Sequence, residues 1–400
     1  MRDPRLWGPL AERYETPAPR KMLALDGGGI RGLLTLSILK EIERQLGRRL
    51  GEYFDYIAGT STGAIIATGL ASGMSVDELI RFYRETGTEM FQRTRFLSRL
   101  NSLYQNGPLQ QKLQEVFGAE TDLKPGNLKT LLLVVTRNVT TDSPWPISSN
   151  PEARYNAPGR TDCNLCIPLW QLVRASTAAP IFFPPEIIAI DPKDDSKTFV
   201  FVDGGVTPYN NPAFLLYRFA TDPAYRLSWP QGERDLLLVS VGTGAAATGG
   251  AGAEDAESNL LKTGLGIPGA LMYGSLVDQD INCRAVGRCT YGDVIDRELA
   301  DMVPREGSDE GTLKERLARP RVPLEKDLGR AFLYARYNVE LSASGLAALG
   351  FGHVEPELAQ KMDKADAEQI DLLLGIGAAA AERQVRVEDH FGPFAPKIDG

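Results

Sequence analysis

Histidine and cysteine are scarce in this sequence of 400 residues. The two histidines, His353 and His390, both lie near the C-terminal end of the sequence and outside any motif. Four cysteines are too few to crosslink a chain of this length. Two of them form a Cys163-x-x-Cys166 pair, but zinc would require a second close pair or histidines at ligand spacing. We therefore expect no metal, no cofactor, and thiols that stay reduced in an intracellular compartment.

The sequence also lacks a basic tract and a long apolar run. Its 44 lysines and arginines against 52 aspartates and glutamates give a formal net charge of −8. This charge argues against DNA or RNA as a partner, because phosphate neutralisation needs clustered cations. No run approaches the roughly 20 apolar residues that cross a bilayer, and the N-terminus has no signal-peptide pattern. These absences predict a cytoplasmic protein, and 43% hydrophobic residues predict a sizeable core.

Short apolar runs alternate with glycine turns and apolar helices in the first 70 residues. Residues 21–25 and 53–58 are typical of buried strands, and a glycine-rich turn and an apolar helix follow each of them. This order predicts an α/β fold with a largely parallel sheet. Further strands are predicted at residues 131–135, 198–202 and 236–241, and further helices at 76–85, 109–117, 167–176 and 355–387. Residues 245–259 and 305–330 are predicted to be exposed loops.

The sequence contains one Gly-x-Ser-x-Gly motif, at residues 59–63, with Ser61 at its centre. It lies between a predicted strand and a predicted helix, where a tight turn needs small flanking residues and exposes the serine. The start of the following helix directs its partial positive charge at an alkoxide or oxyanion. Ser61 is therefore a candidate nucleophile, although a serine that merely caps a glycine turn would leave the same pattern.

The glycine run at residues 27–32 admits two interpretations. It matches Gly-x-Gly-x-x-Gly between a strand and a helix, as a dinucleotide site requires. Against this, residues 264–269 match the same pattern with no strand before them, and Asp55 lies near the start of the second strand rather than at its end. In the second interpretation, consecutive backbone N–H groups at the helix N-terminus form an oxyanion hole. Arg31 would then bind a substrate phosphate or brace the loop.

An Asp-Gly-Gly sequence begins at Asp203, directly after the predicted strand 198–202. The carboxyl ends of parallel strands meet at one edge of a sheet, so we expect Asp203 to lie on the same edge as Ser61. A triad of Ser61, Asp203 and either His353 or His390 is formally available. If neither histidine reaches Ser61, the base is a carboxylate, and Asp203 is the candidate.

Together these motifs resemble the patatin-like phospholipase family in its bacterial form. The resemblance rests on four ordered motifs: residues 26–32, residues 59–63, the Ala-Ser-Thr-Ala-Ala-Pro run at 175–180, and residues 203–205. In that family the glycine loop, here Gly27, Gly28 and Gly29, is the oxyanion hole. The serine, here Ser61, is the nucleophile, and the aspartate, here Asp203, is its only catalytic partner.

The resemblance implies a three-layer α/β/α fold with a central, mostly parallel sheet and a largely helical C-terminal elaboration. It divides the chain into an N-terminal extension at residues 1–19, a catalytic core at 20–245 and the elaboration, packed on the core, at 246–400. It also implies hydrolysis of acyl esters in membrane glycerophospholipids, with peripheral contact to the membrane during activity. Some bacterial members are anti-phage effectors switched on by cyclic nucleotides, so a cyclic nucleotide is a candidate activator and a homo-oligomer a candidate assembly.

Three hypotheses of function therefore follow from the sequence. The first is a lipid acyl hydrolase with a Ser61–Asp203 dyad. The second is a soluble esterase with a Ser-Asp-His triad. The third is a nucleotide-binding protein that uses the glycine loop and makes no use of Ser61.

Overall fold

The computed structural model describes residues 2–91, 107–180, 183–245, 260–293, 295, 324 and 326–396. Within these residues the strands are β1 (Arg20–Leu25), β2 (Tyr56–Thr60), β3 (Leu131–Asn138), β4 (Ser143–Ser148), β5 (Glu186–Ala189), β6 (Thr198–Asp203), β7 (Leu236–Val241), β8 (Arg288–Tyr291) and β9 (Leu333–Tyr337). The α-helices are α1 (Pro4–Trp7), α2 (Leu10–Glu15), α3 (Gly32–Leu46), α4 (Leu50–Tyr53), α5 (Thr62–Ser72), α6 (Val76–Phe91), α7 (Pro108–Phe117), α8 (Leu169–Ser176), α9 (Ala213–Thr221), α10 (Leu260–Val286), α11 (Ala343–Ala348), α12 (Pro356–Ala359), α13 (Ala367–Gln384) and α14 (Val387–His390).

One sheet contains all of these strands, in the spatial order β5-β6-β3-β2-β1-β7-β9-β8, with β4 as a further partner of β3. The six strands from β3 to β8 in this order are parallel to one another. Strands β4, β5 and β6 join the sheet by antiparallel pairing. The prediction of an α/β fold with a mostly parallel sheet is therefore confirmed.

Helices cover both faces of the sheet. Successive side chains of a strand point to opposite faces, so the central strand β1 divides its apolar residues between two layers. Leu23 and Leu25 pack in a cluster that includes α3, α5 and α13, whereas Met22 and Ala24 pack in a second cluster that includes α2 and α9. This is the three-layer α/β/α arrangement that the family resemblance implied.

The predicted and observed elements differ mainly at their ends. Strand β7 has the predicted bounds, but β2 begins at Tyr56 because Leu50–Tyr53 forms the short helix α4. Helix α6 continues to Phe91, beyond the predicted end at residue 85. The predicted helix 355–387 is divided among α12, α13 and the start of α14. Of the two predicted loops, residues 246–259 and most of 305–330 lie outside the described residues.

The C-terminal part of the chain contributes to the central sheet. Strand β9 pairs in parallel with β7, β8 pairs with β9, and helix α13 packs against α3. The sequence analysis did not predict β8, β9 or α10, and residues 264–269, which mimic a dinucleotide motif, lie within α10. In the described ranges, no helix combines the length and the apolar character that crossing a bilayer would require.

A buried ion pair connects this C-terminal part to the glycine loop. Arg336 of β9 reaches past β7 and donates from Nη1 to Asp26 Oδ1, 2.9 Å away, at the end of β1. The same nitrogen donates to Ser240 Oγ of β7 at 2.6 Å. Both charged side chains are only 1% exposed. Burial raises the pKa of Asp26, and the Arg336 guanidinium opposes that rise.

Replacement of Arg336 by methionine should destabilise the protein strongly, because Asp26 would remain buried without its counter-charge. Removal of one partner from a buried pair typically costs about 3–5 kcal/mol in the free energy of unfolding. Urea denaturation at pH 7 measures this loss. The matched control is Arg44→Met, which removes a solvent-exposed pair with Glu41 and should leave the free energy of unfolding almost unchanged. A loss for Arg336→Met as small as that of the control would contradict the prediction.

Candidate active site

Ser61 occupies the sharp turn between β2 and α5. Its backbone has φ 54° and ψ −123°, a left-handed conformation that costs a non-glycine residue roughly 1–3 kcal/mol. The flanking glycines make this turn sterically feasible. A Cβ at Gly59 would lie 2.1 Å from the Gly63 carbonyl oxygen, and one at Gly63 would lie 2.3 Å from the Leu25 carbonyl oxygen. The Gly-x-Ser-x-Gly sequence therefore reflects backbone segments that touch, with a half-buried serine held between them.

Asp203 is hydrogen-bonded to Ser61. Ser61 Oγ donates to Asp203 Oδ2 at 2.7 Å, and the Gly205 N–H donates to Asp203 Oδ1 at 2.6 Å. The aspartate is only 5% exposed. Burial raises the pKa of Asp203 to about 6, against the lowering effect of the hydrogen bonds from Ser61 and Gly205. The carboxylate is thus more basic than an ordinary aspartate and touches the hydroxyl from which it would take a proton.

The direction of β6 differs from the expectation. Asp203 does not end a strand parallel to β2, because β6 runs antiparallel to β3. The pairing of β3 with β2 ends where Val135 meets Thr60, and the pairing with β6 begins where Thr136 meets Asp203. The carboxyl end of β6 therefore approaches the carboxyl end of β2 from the opposite direction. Asp203 reaches the predicted edge of the sheet, although the predicted reason was wrong.

The glycine loop lies beside Ser61. A Cβ at Gly27 would be 3.3 Å from the Cβ of Ser61. The Gly27 N–H donates to the Asn210 carbonyl at 3.0 Å, so this donor is already used. Within the described part of the chain, the N–H groups of Gly28 and Gly29 have no acceptor. Of the three glycines expected in an oxyanion hole, Gly28 and Gly29 are therefore the two with free donors.

Two residues that the sequence analysis missed hold this loop in place. Asn210 accepts the Gly27 N–H through its backbone carbonyl, and Thr243 Oγ1 donates to the Gly27 carbonyl at 3.0 Å. Thr243 lies in a Gly-Thr-Gly turn directly after β7, and a glycine turn at a strand end is a signal that sequence reading can use. Asn210 carries no comparable signal, because its contact with Gly27 spans 183 residues.

Arg31 lies at the end of the 3₁₀ turn that precedes α3. Its Nε is buried, and the described residues supply no hydrogen-bond acceptor for it. Burial lowers the pKa of Arg31 to about 10, while the charge of Asp26 opposes the shift. The guanidinium therefore remains positive at neutral pH. The described contacts connect it neither to Ser61 nor to Asp203.

Neither histidine belongs to this cluster. His390 Nδ1 contacts the Tyr337 hydroxyl at 2.8 Å, and its ring stacks on Tyr291 at 4.0 Å. Tyr337 ends β9, three strand intervals of about 4.8 Å from the turn that carries Ser61. His353 is exposed and stacks on Phe351 at a ring distance of 6.1 Å. The arrangement therefore favours a dyad over a triad.

The remaining predictions concern nucleotide, metal and thiol chemistry. Asp55, the nearest candidate for a ribose contact, accepts from Arg13 Nε and from the Lys21 N–H at the opposite end of the sheet. The described residues contain no group of three or more histidine, cysteine, aspartate or glutamate side chains suited to a metal ion. Cys163 and Cys166 are both free thiols, and burial raises the pKa of Cys163.

Comparisons with known proteins agree with the motifs. Residues 23–217 match the model of a family described as patatin-like phospholipase. A cGAMP-activated phospholipase of Vibrio cholerae is 32% identical over an alignment of 243 residues, which covers 56% of this chain and 64% of the relative. A cGAMP-activated phospholipase of Escherichia coli is 30% identical over 238 residues, covering 56% and 62% of the two chains. Patatin-17 of Solanum cardiophyllum is 29% identical over 246 residues, covering 56% and 61%. The chain thus covers less than two thirds of the length of each of these relatives.

The environment of Asp203 predicts that this residue lowers the stability of the folded protein as the pH rises from about 3.8 to about 6. A carboxyl whose folded-state pKa is raised contributes stability at low pH, and this contribution is lost as the pH rises through the folded pKa. The pKa rises from 3.8 to about 6, which corresponds to at most about 3 kcal/mol. Asp203→Asn should therefore gain stability relative to the parent between about pH 3, below both pKa values, and pH 8, above both, as urea denaturation at these two pH values can measure. Asp371→Asn, at an exposed carboxyl, should change the free energy of unfolding by less than about 1 kcal/mol at either pH. An Asp203→Asn variant that gains nothing at pH 8 would contradict the raised pKa.

Proposed function

We propose that the chain, whose residues 23–217 match the model of the patatin-like phospholipase family, is a member of that family and a serine lipid acyl hydrolase of the phospholipase A type. Its substrates in this proposal are acyl esters of membrane glycerophospholipids. The observation that supports the proposal best is the 2.7 Å hydrogen bond from Ser61 Oγ to Asp203 Oδ2. Next to it lies a glycine loop with two N–H donors for which the described residues supply no acceptor.

The reaction begins with attack of Ser61 Oγ on the acyl carbonyl carbon while Asp203 takes the hydroxyl proton. A pKa of about 6 makes Asp203 a better base than an ordinary aspartate and still leaves it ionised at neutral pH. The oxyanion of the tetrahedral intermediate accepts hydrogen bonds from the N–H groups of Gly28 and Gly29. The positive end of the α5 dipole stabilises the same negative charge. The lysolipid leaves with the proton, and water then releases the fatty acid from the acyl-enzyme by the same steps.

Arg31 is our candidate for the substrate phosphate. Its charge persists at neutral pH, and the described residues offer no acceptor for its buried Nε. A phosphodiester would supply the missing anionic acceptor. A cyclic nucleotide is a candidate activator, because two of the relatives are named as cGAMP-activated phospholipases.

A direct test is the release of fatty acid from phospholipid vesicles of defined composition, with and without cGAMP. The parent protein should release fatty acid, and a fluorophosphonate probe should label Ser61. Ser61→Ala and Asp203→Asn should each lower turnover by several orders of magnitude, because a nucleophile and its base act as one unit. Ser61→Ala should also abolish labelling.

The matched control for these variants is the double substitution His353→Ala/His390→Gln, with the fold checked by circular dichroism. The dyad predicts turnover near that of the parent, whereas a Ser-Asp-His triad predicts at least a hundredfold loss. A nucleotide-binding protein would show neither hydrolysis nor labelling. Near-normal turnover of the Asp203→Asn variant would overturn the dyad.

The glycine loop should tolerate no side chain. A Cβ at Gly28 would lie 2.1 Å from Thr243 Oγ1, and one at Gly29, where φ is +60°, would lie 2.4 Å from the Met362 carbonyl oxygen. Gly28→Ala or Gly29→Ala should therefore redirect the N–H donors and lower the turnover number roughly 10²- to 10³-fold, with little change in sedimentation with vesicles. Gly47→Ala is the control, because Gly47 has φ +64° but open space around it at the end of α3. Equal turnover in the Gly29→Ala and Gly47→Ala variants would remove the loop from the mechanism.

A further inference from the structure

The end of α8 and the turn after it contact the backbone of both dyad residues. The Ser61 N–H donates to Ser176 Oγ at 2.9 Å. Two residues further along, the Ala178 carbonyl accepts the Asp203 N–H at 3.0 Å. Ser61 and Asp203 are 142 residues apart in the sequence, yet residues 176–178 bind the main chain of both. This short segment therefore connects the two positions between which the proposed proton transfer occurs.

The orientation of the Ser176 hydroxyl is fixed by a second contact. Ser176 is fully buried, and its Oγ donates to the Val135 carbonyl at 2.7 Å. A hydroxyl has one proton to donate, so an oxygen that donates to Val135 faces Ser61 as an acceptor. Val135 pairs with Thr60 in the sheet, directly before Ser61. Ser176 thus anchors the Ser61 main chain to the neighbouring strand β3.

Residues 176–178 are held in place by contacts within α8 and between α8 and the sheet. Ser176 is the last residue of α8, and the Thr177 hydroxyl donates to the Val173 carbonyl at 3.0 Å within that helix. Helix α8 packs against β3 and β6, the strands that carry Val135 and Asp203. A rigid support is needed here, because the left-handed backbone of Ser61 persists only where its surroundings determine it.

We propose that Ser176 is a positioning residue that holds the strained Ser61 backbone so that Oγ points at Asp203, while the Ala178 carbonyl fixes the aspartate from the other side. The effect of Ser176 on catalysis rests on the proposed function. Its effect on the Ser61–Asp203 hydrogen bond does not. Ser176 itself touches neither the reacting carbonyl nor the transferred proton.

A consequence for the pKa of Asp203 separates this role from a purely structural one. The hydrogen bond from Ser61 lowers the pKa of Asp203 against the larger raising effect of burial. If Ser61 loses its anchor and Oγ moves away, that lowering effect weakens and the pKa of Asp203 rises further. The acidic limb of the activity profile should then shift to higher pH, since the base must be ionised to act.

The test compares Ser176→Ala with Ser37→Ala. Ser37 is also a buried serine whose hydroxyl donates to carbonyl groups, those of Leu33 and Leu374, but it lies in α3 and has no described contact with the dyad. Ser176→Ala should lower the turnover number for vesicle hydrolysis roughly 10- to 100-fold with KM within about threefold of the parent, because small misplacements of reacting groups have large effects on rate. It should also shift the acidic limb to higher pH. Ser37→Ala should do neither.

A second variant and a second readout keep the test decisive. Ser176→Cys keeps the shape of the side chain with a slightly larger atom that is a weaker acceptor, so it should give an intermediate loss and an intermediate shift of the acidic limb. The pKa of Asp203 is also measurable without activity, from the pH dependence of the stability difference between the parent and Asp203→Asn. The same measurement in the Ser176→Ala background should give a higher pKa.

The outcomes distinguish the two proposals. Parent-like turnover and an unshifted acidic limb in Ser176→Ala would overturn the positioning role, as would a loss of activity equal to that of Ser37→Ala. An upward shift of the Asp203 pKa in a protein that hydrolyses no lipid would support the positioning of Ser61 and reject the proposed function. An unchanged pKa in an active enzyme would reject the positioning role alone.

Discussion

The buried ion pair between Asp26 and Arg336 is the constraint on which the arrangement of the site depends. Asp26 immediately precedes the glycine loop, and Arg336 belongs to a strand near the other end of the sequence. A charged side chain that is buried away from water needs an opposite charge beside it. The glycine loop, which carries Asp26, and strand β9, which carries Arg336, must therefore adopt their positions together. The Ile30 N–H donates to the Met362 carbonyl, between α12 and α13, and this is a second connection between the loop and the C-terminal part of the chain. The C-terminal part of the chain is therefore structurally joined to the proposed oxyanion hole.

Burial of Asp203 has two opposite effects. Removal of the carboxyl from water destabilises its ionised form and so reduces the stability of the folded protein above pH 6. The same desolvation raises its affinity for a proton, which a carboxylate needs in order to act as the base for a serine hydroxyl. The hydrogen bond from Ser61 offsets part of this cost. The stability of the fold and the reactivity of the proposed dyad are thus set by one environment.

The local architecture explains why the motifs are rich in glycine. At the Ser61 turn, the backbone of β2 and the first turn of α5 approach so closely that a Cβ would overlap a carbonyl group. At the glycine loop, the side chain of Thr243 and the carbonyl of Met362 occupy the space that side chains would need. At both places the backbone lies so close to neighbouring groups that only glycine fits. Such contacts can therefore be recognised in the sequence as glycine-rich motifs.

The sequence by itself determined the α/β class and the strand–turn–helix units around Ser61 and the glycine loop, and it limited the candidate base to Asp203 or one of two histidines. These features depend on local periodicity and on steric demands within a few residues. Only the tertiary structure decided that β6 runs antiparallel to β3, that the Gly27 N–H donates to the Asn210 carbonyl, and that Ser176 and Arg336 support the site. Those contacts join residues that are from 41 to 310 positions apart, and no short-range pattern encodes them. Sheet pairing and burial alone bring such residues together.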